Sequence, residues 1–347
     1  MTDDHGDPGR RDVRVPLQEA VAGGRVRCGV CARGCTLREG QRGFCGAREV
    51  RGGELVARSY GRISVSEPRP MEIKPFFHYH PGEWALTVSS WGCDLACPWC
   101  QNHDLSRGRV PEGARITDPS ELVSDAVYGG LGGLCISFNE PATLFEYSLD
   151  LFREGRRAGL FGCWVTNGVI TPAALKELAV AGLDGLTISI KGEAATYAGM
   201  CALPGGDEAA WATVEAALGM GLHVEVVYLL VTKANDSPAQ VDELVERHLD
   251  SAGPDVPLHF TRFHPAHKYL EPATPVKTVL GARARAAGAG VRFAYVGNVP
   301  GSRWENTYCP SCGRLLMRRG MGRLLEGRLA EGDLCECGTR IPIRREG

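Results

Sequence analysis

Long apolar runs are missing from this chain of 347 residues. None approaches the roughly 20 apolar residues that a membrane-spanning helix needs. The opening residues, MTDDHGDPGRRDVRVP, turn from acidic to basic and lack the apolar stretch of a secretion signal. An excess of one charge is missing as well. Lys+Arg number 39 and Asp+Glu 41, a formal net charge of −2, which argues against a globally basic nucleic-acid binder. Apolar residues make up 44%, too many for a disordered chain. The sequence carries no internal repeat. A soluble cytoplasmic protein is expected, long enough for about two domains at roughly 150 residues each.

Fourteen cysteines in such a length are too dilute for a disulfide-stapled scaffold, yet they are unevenly spread. Cys28, Cys31, Cys35 and Cys45 form one group, Cys93, Cys97 and Cys100 a second, and Cys309, Cys312, Cys335 and Cys337 a third. Cys135, Cys163 and Cys201 stand alone. In a reducing cytosol, grouped thiols read as metal or iron–sulfur ligands before they read as disulfides.

The texture of the chain divides it into four parts. Residues 1–25 read as a loose tail. Residues 26–60 are too glycine-rich for a helix and read as a Cys-rich metal module with short strands around SYGRISV. Residues 85–300 alternate apolar strands with helices. The strands are ALTVSS (85–90), LCISF (134–138), FGCWVT (161–166), LTISI (186–190), HVEVVYLL (223–230), LHFTRF (258–263) and VRFAYV (291–296). Asp118-Pro119-Ser120-Glu121 and Ser237-Pro238-Ala239-Gln240 have the capping-box pattern, and Thr171-Pro172 opens another helix. Near-continuously apolar strands alternating with helices imply a parallel sheet covered on both faces. The expected class is α/β, a partial (β/α)6 TIM-type barrel, because no GxGxxG follows the first strand to support a dinucleotide fold. Residues 305–345 form a short, basic, Cys-containing C-terminal module.

In such a barrel the chemistry sits where strands end and loops begin. There the sequence puts Cys93-x3-Cys97-x2-Cys100, three thiols that can hold three irons of a [4Fe–4S] cluster and leave the fourth iron open. Tetrahedral zinc, with His103 as fourth ligand, is the alternative. The ends of the next three strands carry Asn139-Glu140, Asn167 and Ser189-Ile190-Lys191. His264 and Arg262 end a later strand, and Asn298 follows the last one. His78 and His80 share a face if FFHYHPG is extended. These four, His78, His80, Arg262 and His264, are candidates for the neighbourhood of a substrate, with structural or surface histidines as the plain alternative. Cys135 and Cys163 read as packing residues, and Cys201 as a thiol near the site.

The spacing and position of Cys93, Cys97 and Cys100, with Trp99 in the same loop, resemble the radical S-adenosylmethionine (SAM) superfamily. The resemblance implies a [4Fe–4S] cluster whose open iron binds SAM and whose electron splits it into methionine and a 5′-deoxyadenosyl radical that abstracts hydrogen from substrate. It implies Glu140 at the methionine ammonium, Lys191 at its carboxylate, Ser189 where related activases carry Asp, and Trp99 near the adenine, with Asn139, Asn167 and Asn298 completing the set. Thr166-Asn167-Gly168 resembles a turn of glycyl-radical-enzyme activases. The N-terminal CGVCARGCTLREGQRGFCGAR, KPFFHYHPG, CQNHDLSRG, SFNEP, HFTRFHP and GNVPG…ENTYCPSCGRLL together resemble the radical SAM enzyme of the AmmeMemoRadiSam system, often labelled pyruvate formate-lyase activating enzyme-like. That resemblance implies AMMECR1-type and Memo-type proteins as partners and an electron donor such as a flavodoxin or ferredoxin.

Other readings stay open at this stage. An activase installing a glycyl radical on a partner protein fits the turn motif. A zinc-ribbon adaptor that binds RNA or protein without catalysis, or a dithiol redox protein, belongs to other classes. The N-terminal quartet fits zinc or an auxiliary iron–sulfur cluster, zinc being preferred for its knuckle-like loops. Cys309-x2-Cys312 reads as a zinc knuckle whose partner, Cys335-x-Cys337, is one residue short. The basic stretch RLLMRRGMGRLLEGR reads as a solvated hairpin or an RNA contact.

Overall fold

The computed structural model describes residues 13–345. Its centre is an eight-stranded sheet built in sequence order. The strands are β1 (Val65–Pro70), β2 (Trp84–Ser89), β3 (Gly133–Ile136), β4 (Phe161–Thr166), β5 (Gly185–Ile190), β6 (His223–Leu230), β7 (Leu258–Arg262) and β8 (Ala294–Gly297). β1 pairs antiparallel with β2, and every later pairing is parallel. Parallel neighbours require crossovers, supplied by α1 (Pro119–Tyr128), α2 (Phe145–Arg157), α3 (Pro172–Ala181), α4 (Gly206–Gly219), α5 (Pro238–Ser251) and α6 (Val276–Ala289). A sheet that never reverses its strand order curls into an open barrel instead of a doubly wound layer. Six strand–helix units and a closing strand make the expected partial (β/α)6 barrel.

The caps work as the sequence implies. Asp118 and Glu121 form a capping box, with Glu121 Oε1 accepting from Asp118 N at 3.0 Å. Ser237 and Gln240 repeat it, and Thr171 Oγ1 accepts from Ala174 N at 3.2 Å. The middle strands are buried along nearly their whole length, so alternation is absent from them. β1 lies outside the expected barrel. Its VSEPRP sequence holds two prolines, which a sheet tolerates at an edge where a missing N–H breaks no ladder.

Of the loose tail expected over residues 1–25, residues 1–12 lie outside the described residues. From Val13 onward the chain is structured. Val13–Arg14 joins Arg48–Arg51 and Glu54–Ala57 in one three-stranded sheet, and Gln18–Val21, Arg25–Cys28 and Thr36–Leu37 form another. The short strand expected around SYGRISV lies earlier, at Glu54–Ala57. The N-terminal module is bolted to the barrel by Arg48, whose guanidinium donates to both Glu146 carboxylate oxygens at 2.8 and 3.0 Å. Both side chains are 3% exposed.

The bottom of the barrel, at the strand N-termini, is closed by the FFHYHPG segment. Tyr79 lies beneath Gly185, where any Cβ would meet its ring. Glu225, fully buried in β6, accepts from His78 N at 2.7 Å and from His259 Nε2 at 2.7 Å, and meets His223 Nε2 at 3.1 Å. These donors hold its carboxyl far below the ordinary carboxylate range despite burial. Arg319, from the C-terminal module, stacks over Phe77 and donates to its carbonyl at 2.7 Å. That module is a three-stranded antiparallel sheet of Thr307–Tyr308, Leu315–Gly320 and Arg323–Gly327. Its basic stretch is therefore a hairpin. Arg319 is buried, and Arg318 and Arg328 pair with Glu326.

Candidate functional site

The top of the barrel holds a cavity of about 440 Å3, within the range of small-molecule sites. Cys93, Cys97, Trp99 and Cys100 line it from the loop after β2, Asn139 and Glu140 from the end of β3, and Asn167 from β4. Ser189 and Lys191 line it from β5, and Asn298 from β8. Residues that the sequence spreads over some two hundred positions thus face one space.

Glu140 is at the centre of the polar lining. It is buried, and Oε1 accepts from Thr166 Oγ1 at 2.8 Å and Ala142 N at 3.1 Å, while Oε2 accepts from Asn167 N at 2.9 Å. Burial, with the nearby Asp94 carboxylate, pushes its carboxyl up to about 8. A cation placed there would favour the ionised form. Lys191 Nζ donates to Ser189 Oγ at 2.7 Å, which aims a positive charge along the end of β5. Asn139 lines the cavity, but its side chain is bonded to the scaffold: Oδ1 accepts from Ser90 N, and Nδ2 donates to Gly92 O and Thr143 Oγ1. It braces the entry to the thiol loop. Trp99 is buried edge-on against Tyr269, ring centres 5.7 Å apart, and Lys268 N donates to Pro98 O at 2.9 Å, so the 263–270 loop pins that side of the thiol loop.

One site residue was missed by sequence reasoning, and one expected near the site lies against a thiol of the motif. Asp94, inside the thiol motif, is buried and accepts from Asn167 Nδ2 at 2.7 Å. Its position between Cys93 and Cys97 was the available signal. Cys201 is fully buried behind Cys97, the two sulfurs 3.3 Å apart. The hydrogen bond to Cys201, together with burial, raises the Cys97 thiol well above its ordinary range.

His78, His80, Arg262 and His264 do not line the cavity. His78 is buried at the barrel bottom against Tyr295, Nε2 to hydroxyl 2.6 Å, and His80 is stacked on Phe161. Burial lowers their pKa values to about 3 and about 4. Arg262 donates to Thr274 O at 2.7 Å, and its carbonyl accepts from Asn298. His264 is exposed. For His78 and His80 the expectation of a place near a substrate is corrected on that geometry: period-two spacing in FFHYHPG gave a shared face but could not say which end of the barrel it closes.

The three cysteine groups differ in spacing. Among the described residues, one set has at least three ligand atoms all within 4.8 Å of one another, Cys309, Cys312, Cys335 and Cys337. Cys335 reaches despite the short Cys-x-Cys spacing, 3.6 Å from Cys312, and Cys309 lies 3.6 Å from Cys337. The Thr339 hydroxyl and backbone hold Cys337 down to about 6, in reach of a thiolate at neutral pH. This donor set suits one tetrahedral ion. Cys93, Cys97 and Cys100 are spread too widely for that, and His103 does not complete them: it stacks on His267 and meets Asp104. Three separated thiols facing one cavity are what a cubane with one open iron takes. Burial raises the Cys28, Cys31 and Cys45 thiols, Cys45 to about 11.

Among the described residues, no helix is long and apolar enough to cross a membrane. The family model of the Radical SAM superfamily matches residues 88–247, from β2 into α5. Uncharacterized protein MJ0808 of Methanocaldococcus jannaschii is 37% identical over 305 residues, 87% of this chain and 90% of that protein. The AdoMet-dependent heme synthase of Methanosarcina barkeri is 34% identical over 135 residues, 38% of this chain and 37% of that protein. Among solved structures, a radical SAM methyltransferase from Sphaerobacter thermophilus is 19% identical with a TM-score of 0.49, covering 68% of this chain and 71% of that one.

Proposed function

We propose, from the premise that this chain belongs to the radical SAM superfamily and is an enzyme using SAM and an iron–sulfur cluster, that Cys93, Cys97 and Cys100 hold that cluster. When bound, the cluster supplies the electron that splits the C5′–S bond of SAM, giving methionine and a 5′-deoxyadenosyl radical for hydrogen abstraction. The observation that carries this reading is the single cavity shared by the thiol loop and the ends of β3, β4, β5 and β8.

The chain's own residues then have separable tasks. Glu140 accepts from the methionine ammonium, and Lys191 offers its charge to the methionine carboxylate. Trp99 packs on the adenine side, with Asn298 across the cavity mouth. Asn167 and Asn139 fix the loop that carries the thiols. Ser189 orients Lys191 and would offer its hydroxyl on the ribose side. Val165, Val227 and Leu229 give the cavity an apolar wall that excludes water from a radical. The Cys309 quartet holds structural zinc, and the required one-electron reductant is of the flavodoxin or ferredoxin class. An adaptor without catalysis leaves this cavity unexplained.

The test is anaerobic. Reconstituted protein reduced with dithionite is given SAM, and 5′-deoxyadenosine and methionine are measured. Formation of both, abolished in C93A/C97A/C100A, supports the reading. Undiminished 5′-deoxyadenosine from that triple variant would overturn it.

A further inference from the structure

The N-terminal quartet lies outside the cavity described above, and its geometry differs from that of the C-terminal quartet. Sulfurs on one tetrahedral zinc, each about 2.3 Å from the metal, lie about 3.8 Å from one another. The C-terminal quartet is gathered to that scale. Cys28, Cys31, Cys35 and Cys45 are not: no three of them share a 4.8 Å neighbourhood. They are nonetheless held together. Cys28 N donates to Cys35 O at 2.9 Å, and the Cys35 sulfur lies against Gly43, in the turn that leads to Cys45. Cys28 and Cys31 are buried. Cys93, Cys97 and Cys100 likewise fall outside one 4.8 Å neighbourhood. A cubane spreads its thiolates over separate irons, so a quartet that is gathered yet too wide for one ion suits it better than zinc.

The quartet also abuts the site. A Cβ on Gly92, the residue before Cys93, would overlap the Cys45 carbonyl oxygen. Ala32 N donates to Val169 O at 3.0 Å, and Cys31 pairs with Ile170 in an isolated bridge, so the Cys31 knuckle sits on the turn that follows Asn167. Arg33 Nε donates to Asp94 O at 2.8 Å, and the Cys31 thiol meets the Asp94 carboxyl that Asn167 also holds. One carboxyl group separates the two sets of thiols.

We propose that Cys28, Cys31, Cys35 and Cys45 bind a second [4Fe–4S] cluster, packed against the back of the SAM-site loop. The test reads metal and spin, not turnover. Full-length C93A/C97A/C100A leaves this quartet as the remaining wide set. After anaerobic reconstitution it is expected to hold about four irons and about four sulfides per chain, against about eight of each in the unaltered protein. Dithionite should give it a [4Fe–4S]+ electron paramagnetic resonance signal. In the unaltered, fully reduced protein the two neighbouring spins should couple and broaden each other's signals, an effect lost in the triple variant. In C35S/C45S, at two partly exposed positions, iron should fall to about four with the circular dichroism spectrum unchanged.

Zinc without iron in the triple variant overturns the proposal. So does unaltered protein with about four irons, all lost with Cys93, Cys97 and Cys100. In that last case SAM cleavage by the unaltered protein would leave the proposed function standing.

Discussion

Asn167 donates its side-chain amide to Asp94 Oδ1 at 2.7 Å, tying the end of β4 to the loop that carries Cys93, Cys97 and Cys100. Asn167 also reaches Glu140 through its backbone N–H, so one residue positions both the thiol loop and the carboxyl of the ammonium site.

Asp94 is therefore a positioning residue. In Asp94→Ala the buried Asn167 amide loses its acceptor, and 5′-deoxyadenosine formation should fall roughly 10- to 100-fold, as for about 1.5–3 kcal/mol of hydrogen bond to a charged group. Asp94→Asn keeps an acceptor and should lose less than about tenfold. Single-turnover rates per bound iron check this. An unaltered rate in Asp94→Ala would remove the residue from the site.

Glu140 sets a pH dependence. With its pKa pushed up to about 8 by burial and Asp94, binding the SAM ammonium near neutrality must expel a proton. Affinity for SAM should thus rise from pH 6 to 7.5, by up to about tenfold per unit. It should flatten once the SAM amino group itself loses its proton. In Glu140→Gln the rise should vanish. Titration calorimetry in buffers of different ionisation enthalpy reads the proton directly. The sign for stability is opposite: between pH 4.5 and about 8 the folded state holds a proton that the unfolded chain has lost, so this group's contribution declines as pH rises. Melting curves of the two proteins across that window should converge toward the acid end.

The Arg48–Glu146 pair joins the N-terminal module to α2. Arg48→Leu leaves a buried carboxylate unpaired and should cost about 3–5 kcal/mol in urea unfolding. Arg48→Leu with Glu146→Leu should recover most of that loss. Equal destabilisation by the single and double variants would show that the guanidinium acts through packing instead.

Metal removal separates the C-terminal quartet from the others. Cys337→Ser should drop zinc from about one per chain to none, with iron unchanged. The melting temperature should fall by roughly 5 °C or more, since each kcal/mol corresponds to about 2–4 °C in domains of about 200 residues. Iron lost along with zinc, or an unmoved melting temperature, would contradict a structural zinc site there.

The barrel was legible because strands buried on both faces read as unbroken apolar runs, and because Asp118, Thr171 and Ser237 announce their helices. Ten of the residues that line the cavity were legible because strand ends are where a parallel barrel presents loops. β1 was not, since its prolines and charges imitate a loop and only its place at the sheet edge makes it a strand. Cys201 was legible as a thiol near the site but not as a neighbour of Cys97, because that contact depends on how the loop after β5 closes, which no local pattern records. His78 and His80 were legible as a pair and misplaced as a group, because burial at the barrel bottom is a property of the whole fold.

The close approach of Gly92 to the Cys45 carbonyl ties the amino-terminal module to the start of the thiol loop at a single backbone point. A methyl group added at 92 would overlap that oxygen, so Gly92→Ala must shift either the turn that carries Cys45 or the backbone just before Cys93.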